Sequence, residues 1–136
     1  MTAATTALRR LDLTSLPVAL RLDAVVTAAN GAAYLLAAGP LSDLLGLSAS
    51  LLRVAGVGLL AFAAVVWLVA AANRIARPAA ATIIALNAVW AIGCVAAVLA
   101  DLGTPTTAGA AWIVAQALVV AGFVELQVAG LRRAAR

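Results

Sequence analysis

An all-α bundle of four membrane-spanning helices is the fold class this sequence predicts. Three observations predict it: long stretches without charge, a very apolar composition, and arginines gathered on alternate loops. Nineteen uncharged residues separate Asp23 from Asp43, 20 separate Arg53 from Arg74, and 23 separate Arg77 from Asp101. A further 23 separate Asp101 from Glu125, the one charge before Arg132. A hydrocarbon core of about 30 Å is crossed by about 20 helical residues, so each stretch suffices for one crossing. Hydrophobic residues make up 66 % of the chain and charged residues 10 %, with a mean hydropathy of +1.15. A soluble domain of 136 residues has too little interior to hide that much apolar surface.

The first span reads as 18–39. Pro17 stands at its start, where a missing N–H has no helical partner to lose, and Ser15 is placed to cap the free amides. Gly39-Pro40 marks its end. In the following segment, 41–49, Leu41, Leu44, Leu45 and Leu52 fall at helical spacing around Ser42, Asp43 and Ser48. Two readings stay open there: an amphipathic stretch lying in the outer interface, or the frayed end of a neighbouring span. The second span reads as 50–73 and has no polar side chain between Val54 and Ala72. The third, 79–100, follows Pro78 and precedes Gly103; the fourth, 107–131, follows Thr104 and Pro105. Residues 1–17 form a cytoplasmic N-terminal segment, and 18–134 a single transmembrane domain.

The arginines set the orientation. Arg9, Arg10, Arg21, Arg74, Arg77, Arg132, Arg133 and Arg136 fall on one side of these spans, and Arg53 alone on the other. The positive-inside rule places both termini and the middle loop in the cytoplasm, with the chain a multi-pass protein of the inner membrane. Arg21 and Asp23 interrupt the first span too early for a cleaved signal peptide, so it is expected to remain. The net charge of +4 sits at helix ends, not along one face. It points to topogenic charge and contact with membrane lipids, and away from nucleic acid. Every basic residue is Arg and none is Lys, a bias that fits a GC-rich bacterial genome.

Polar side chains inside the spans are the candidates for function, because each is expensive in lipid unless satisfied. On the first helix Asp23, Thr27, Asn30 and Tyr34 share one face; on the third, Asn87, Trp90, Cys94 and Asp101 do. On the fourth, Trp112, Gln116, Phe123 and Gln127 form a stripe, while Glu125 lies about 180° from Gln116 at roughly 100° per residue. Ala111, Ala115, Gly122 and Ala129 share Glu125's side, and small residues let helices approach closely in lipid. Glu125 is therefore expected to point into the bundle. With Asn30 and Asn87 at a similar level in the inner half, it would form an intramembrane polar cluster. Trp112, Gln116 and Phe123 are then expected to face outward, as an interface for a second copy or another membrane protein. The cluster reads either as structural hydrogen bonding or as a pocket for a lipid-like head group or a coupling carboxyl.

Other chemistry has little to be built from. The chain has no His and one Cys, Cys94, which leaves no His-ligated haem and no disulfide within the chain. No phosphate-binding Gly loop, nucleophile–base pair or paired carboxylates can be read, so no catalytic residue, metal or cofactor is expected. A two-fold repeat is suggested by Asn30, Tyr34 and Asp43 in one half against Asn87, Trp90 and Asp101 in the other, relating two parallel hairpins.

Arg21-Leu22-Asp23 with Asn30-Gly31, then Gly39-Pro40-Leu41 and Asp43-Leu44-Leu45-Gly46, resemble the opening of small four-helix membrane proteins of high-GC Gram-positive bacteria. Pro105-Thr106-Thr107-Ala108-Gly109 with Trp112-Ile113 and Gln116-Ala117 is similar to their last helix. The likeness covers about 20–134 and implies architecture alone; a more distant one is to DoxX-type four-helix proteins. The expected function is that of a non-catalytic accessory or binding protein for lipid, a lipophilic molecule or a membrane partner. The alternative is a proton-coupled transporter or exporter, acting as a homo-oligomer and titrating at Glu125.

Overall fold

The computed structural model describes residues 15–101 and 103–134, and every regular element among them is helical. Helix α1 is Leu16–Leu36, α2 Ala38–Leu45, α3 Ala49–Ala71, α4 Arg77–Leu99 and α5 Thr107–Ala134. The break after Leu36 has a cause in Pro40. Continuing α1 would drive the Pro40 ring into the carbonyl of Leu36, whereas in the first turn of a new helix a proline loses no bond. Gly39-Pro40 thus opens α2 and does not end the first span, and α2 leaves α1 at 94°. The segment after the first span is a helix in its own right, not a frayed end. Gly46, at φ 70°, closes it in the left-handed conformation that glycine adopts without strain. Ser48 caps α3 by accepting from the Leu51 N–H at 3.1 Å.

Helices α1 and α5 run antiparallel at the centre; α3 packs along α1, α4 along α5, and α3 scarcely meets α4 beyond the turn joining them. The α1/α3 pair crosses where Gly31 meets Gly56. A Cβ on Gly56 would stand 2.8 Å from the Gly31 carbonyl oxygen, and one on Gly31 2.9 Å from that of Gly56. Only hydrogen fits on either side, the close backbone approach that drives helix pairing in lipid. This arrangement is not the parallel two-fold repeat. Such a repeat makes α1·α5 and α3·α4 equivalent contacts, and they are not.

All four long helices meet at the end where α1 and α4 begin. Leu16, Leu20 and Ala24 pack there with Val66, Ala70, Ala80 and Ile83, and Leu131 covers them. At the same end the Arg77 guanidinium donates to the Leu131 carbonyl at 3.2 Å. At the opposite end α2 is locked to the start of α5. The Thr106 N–H donates to the Leu45 carbonyl (3.0 Å), and its hydroxyl donates to the Leu44 carbonyl (2.7 Å) while accepting from the Gly109 N–H (3.0 Å). Thr106 therefore caps α5, and it ends α2 at the same time. Gly109 lies so close to the Leu45 carbonyl that no Cβ fits.

The exterior is apolar. Three helices (α3, α4 and α5) are each long and apolar enough to cross a membrane, and four spans result if the bent pair α1–α2 counts as one. In the apolar windows of those three helices only 11 to 22 % of the residues are buried. Leu36, Val54, Leu68, Ile92, Leu99 and Leu118 all stand open. Surface of that kind belongs in a hydrocarbon solvent.

Candidate functional site

The polar site is built on α1, α4 and α5, and its centre is Asp23. That side chain has no exposed surface, Gln127 has none, and Asn87 is 4 % exposed. Asp23 Oδ2 accepts from Asn87 Nδ2 and from Gln127 Nε2, both at 2.7 Å. Asn87 Nδ2 also donates to Gln127 Oε1 at 3.2 Å. Thr27, one turn along α1, donates its hydroxyl to Asp23 Oδ1 at 2.9 Å. Both carboxyl oxygens therefore act as acceptors, and none of the donors is charged. Removing a carboxylate from water is costly. Charge-assisted bonds of about 1.5–3 kcal/mol each offset part of that cost.

Further along α1 the same face meets the same face of α5. Asn30 Nδ2 donates to Gln116 Oε1 at 2.9 Å, and Trp112 Nε1 donates to the Tyr34 hydroxyl at 2.7 Å. The positions run in opposite directions along the two helices: 23 with 127, 30 with 116, 34 with 112. The result is a ladder of polar contacts along most of the α1–α5 seam, interrupted by buried Phe123. Among the described residues no buried side-chain nitrogen or oxygen lacks a hydrogen-bond partner. The ladder is closed, not an open polar pocket.

The predicted stripes exist, but α5 is turned about its axis relative to expectation. Glu125 is exposed, as are Ala111 and Ala115. Of Trp112, Gln116 and Phe123, expected to face a partner, Trp112 and Gln116 are bonded to α1 and Phe123 is buried, while the Trp112 ring stays partly exposed. The physical reason is that an amide in lipid must find a partner, and this requirement outranks the packing preference of small side chains. The polar face of α5 also has small residues of its own, in buried Gly109, Ala117 and Gly130. Asn30, Asn87 and Glu125 accordingly do not form one cluster. Asn87 joins Asp23, Asn30 lies a rung further along, and Glu125 belongs to neither. Asp23 and Gln127 were not expected as site residues, although both lay on the stripes that turned out to face each other.

Two shallow apolar grooves mark the outside. One runs between α1 and α3 past Ala28, Ala64 and Trp67, with a volume of about 420 Å³. The other, about 450 Å³, runs between α4 and α5 past Ile92, Val95 and Leu118. Among the described residues no three His, Cys, Asp or Glu side chains come together. Comparison with protein-family models, curated proteins and solved structures finds no match to this chain.

Proposed function

We propose that this chain is a non-catalytic protein of the cytoplasmic membrane. It spans four times with both termini inside, and binds a lipid, a lipophilic molecule or a membrane partner through its outer faces. One observation carries this reading. Every buried polar side-chain atom among the described residues is already bonded within the chain, so the interior offers no unsatisfied group to a ligand. The surfaces left to recognise anything are the apolar grooves and flanks of the bundle. The arginines at the end where α1 and α4 begin (Arg21, Arg74, Arg77, Arg132 and Arg133) suit the anionic inner leaflet. Purification in mild detergent, followed by mass spectrometry of bound lipids, small molecules and proteins, tests the reading. A lipophilic molecule or one membrane protein should be retained in stoichiometric amount; a chain that emerges bare at all detergent-to-lipid ratios overturns it.

A second reading is favoured by Asp23 itself. A carboxyl without exposed surface, at the foot of a polar ladder, marks a functional position inside a membrane, and it takes the place that Glu125 held as the carboxyl of a proton-coupled transporter. Proton flux in proteoliposomes that Asp23→Asn abolishes without unfolding the chain would establish this reading over the first. We favour the first because α3 brings no polar side chain to the seam.

A further inference from the structure

The groove between α1 and α3 has a cation at one end. Ala24, Val25 and Ala28 line it from α1, and Arg21 precedes them by 3, 4 and 7 positions, the spacing of one helix face. On the opposite wall Ala64, Trp67 and Leu68 come from α3. The Arg21 guanidinium lies over the Trp67 ring, 5.9 Å from its centroid. Asp23, two residues along, does not neutralise it, because that carboxylate is buried and bonded to Asn87 and Gln127. Arg21 is about 7.5 Å from the start of α1 and Trp67 about 6 Å from the end of α3, at 1.5 Å per residue. Both therefore sit at head-group depth, where Trp rings and the tips of long basic side chains settle.

We propose that this groove binds one anionic phospholipid, with an acyl chain laid between α1 and α3 and the phosphate on Arg21. The assignment rests on the reading that the chain works through its outer faces, and it names the ligand. Charge complementarity selects the occupant. A guanidinium held over an indole keeps its edge N–H groups free for two phosphate oxygens, a recognition that a zwitterionic lipid, with its own cation beside the phosphate, satisfies less well. The α4/α5 groove is of similar size; the lining of neither groove holds a charged side chain, but the α1/α3 groove has Arg21 over its lining Trp67, and the α4/α5 groove is lined by no aromatic ring. It serves as the internal control.

Native mass spectrometry of the full chain in detergent, with phosphatidylglycerol and phosphatidylcholine of matched acyl chains, tests the proposal. One phosphatidylglycerol should be retained with about a tenfold preference, the ratio that about 1.4 kcal/mol gives. Arg21→Gln should remove the preference. Ala64→Leu, which fills the groove at an exposed position, should weaken both lipids. Arg53→Gln at the other end and Ala121→Leu in the control groove should change neither. Unaltered phosphatidylglycerol binding by Arg21→Gln overturns the proposal, as does displacement of the lipid by millimolar inorganic phosphate, because the acyl chain would then contribute nothing. Lipid that leaves only with Ala121→Leu overturns this site but keeps the outer-face reading. A wild-type chain that retains neither a lipophilic molecule nor a membrane protein overturns both.

Discussion

Asp23 is the side chain on which the polar interior turns, and its surroundings specify what each replacement should do. Asn keeps one oxygen to accept from Asn87 and Gln127, and its amide can face the Thr27 hydroxyl, which rotates to accept. Asp23→Asn should therefore shift stability in detergent by less than about 1 kcal/mol, near the average for side-chain hydrogen bonds between membrane helices. Asp23→Leu orphans the Gln127 amide N–H in a buried site and should cost about 1–3 kcal/mol. Glu125→Gln, at an exposed position, should be neutral. Reversible unfolding in mixed micelles reads all three, and equal effects of Asp23→Asn and Asp23→Leu would show that the hydrogen bonds do not matter. Gln116→Leu tests the next rung. It leaves the Asn30 amide without its 2.9 Å partner, so the chain should lose about 1 kcal/mol of stability, the scale of one interhelical bond, with its oligomeric state unchanged. Dissociation of an oligomer with stability intact would restore Gln116 to an outer interface. The participating residues were legible in the sequence, since 23, 27, 30, 34 and 112, 116, 123, 127 both show helical spacing. Their pairing was not, because a stripe records which residues share a face and not which neighbour that face meets. Glu125 drew attention as the lone charge in a long apolar run, yet an exposed carboxyl on α5 places no demand on the interior.

At the level of elements, the α1/α3 pair is held by the Gly31–Gly56 crossing, and the glycines of α3 offer a matched comparison. A Cβ at Gly56 meets the Gly31 carbonyl oxygen at 2.8 Å and the Leu35 nitrogen at 3.0 Å, both backbone atoms that cannot rotate away, while one at Gly58 meets nothing within 4 Å. Gly56→Ala should push the helices apart and destabilise by about 1–3 kcal/mol, the usual cost of overpacking. Gly58→Ala should be neutral or stabilising by up to about 1 kcal/mol, through helix propensity alone. Equal effects of the two in thermal melts would show that the crossing does not hold the pair. The sequence carried the long-helix boundaries within about three residues, because Pro17, Pro78 and Pro105 punctuate them, in keeping with the usual scatter of helix ends. It also carried the amphipathic character of α2 as one of two readings. Long-range geometry lay beyond it: that Thr106 at once caps α5 and ends α2 depends on a contact between segments about 60 residues apart.

For the whole molecule, the physics of α1 decides between three crossings and four. Its 21 residues rise about 31 Å, enough for the hydrocarbon core, yet with Arg21, Asp23 and Asn30 it is the one long helix without a stretch apolar enough to count as a span by itself. That deficit is compensated within the fold. Asp23 takes its donors from Thr27, Asn87 and Gln127, Asn30 bonds Gln116, and Arg21 lies close enough to the helix start to reach the interface. A span that looks marginal alone thus becomes acceptable once α4 and α5 supply its partners. The 94° bend then lays α2 across the far end, where Thr106 holds it against the start of α5. Four crossings place both termini on the arginine-rich side; a re-entrant α1–α2 pair would leave the N-terminus opposite the C-terminus. Reporters active only in the cytoplasm should therefore work ahead of Met1, in the 72–76 turn and after Arg136, and should fail at 46–48 and 103–105. A reporter ahead of Met1 that is silent while the one after Arg136 is active would reduce the count to three. In that case the Asp23 network would have to form without α1 crossing, although its 2.7 Å bonds to Asn87 at mid-α4 and to Gln127 on α5 require α1 to penetrate to the depth of both helices. That requirement is why we expect the N-terminal reporter to be active.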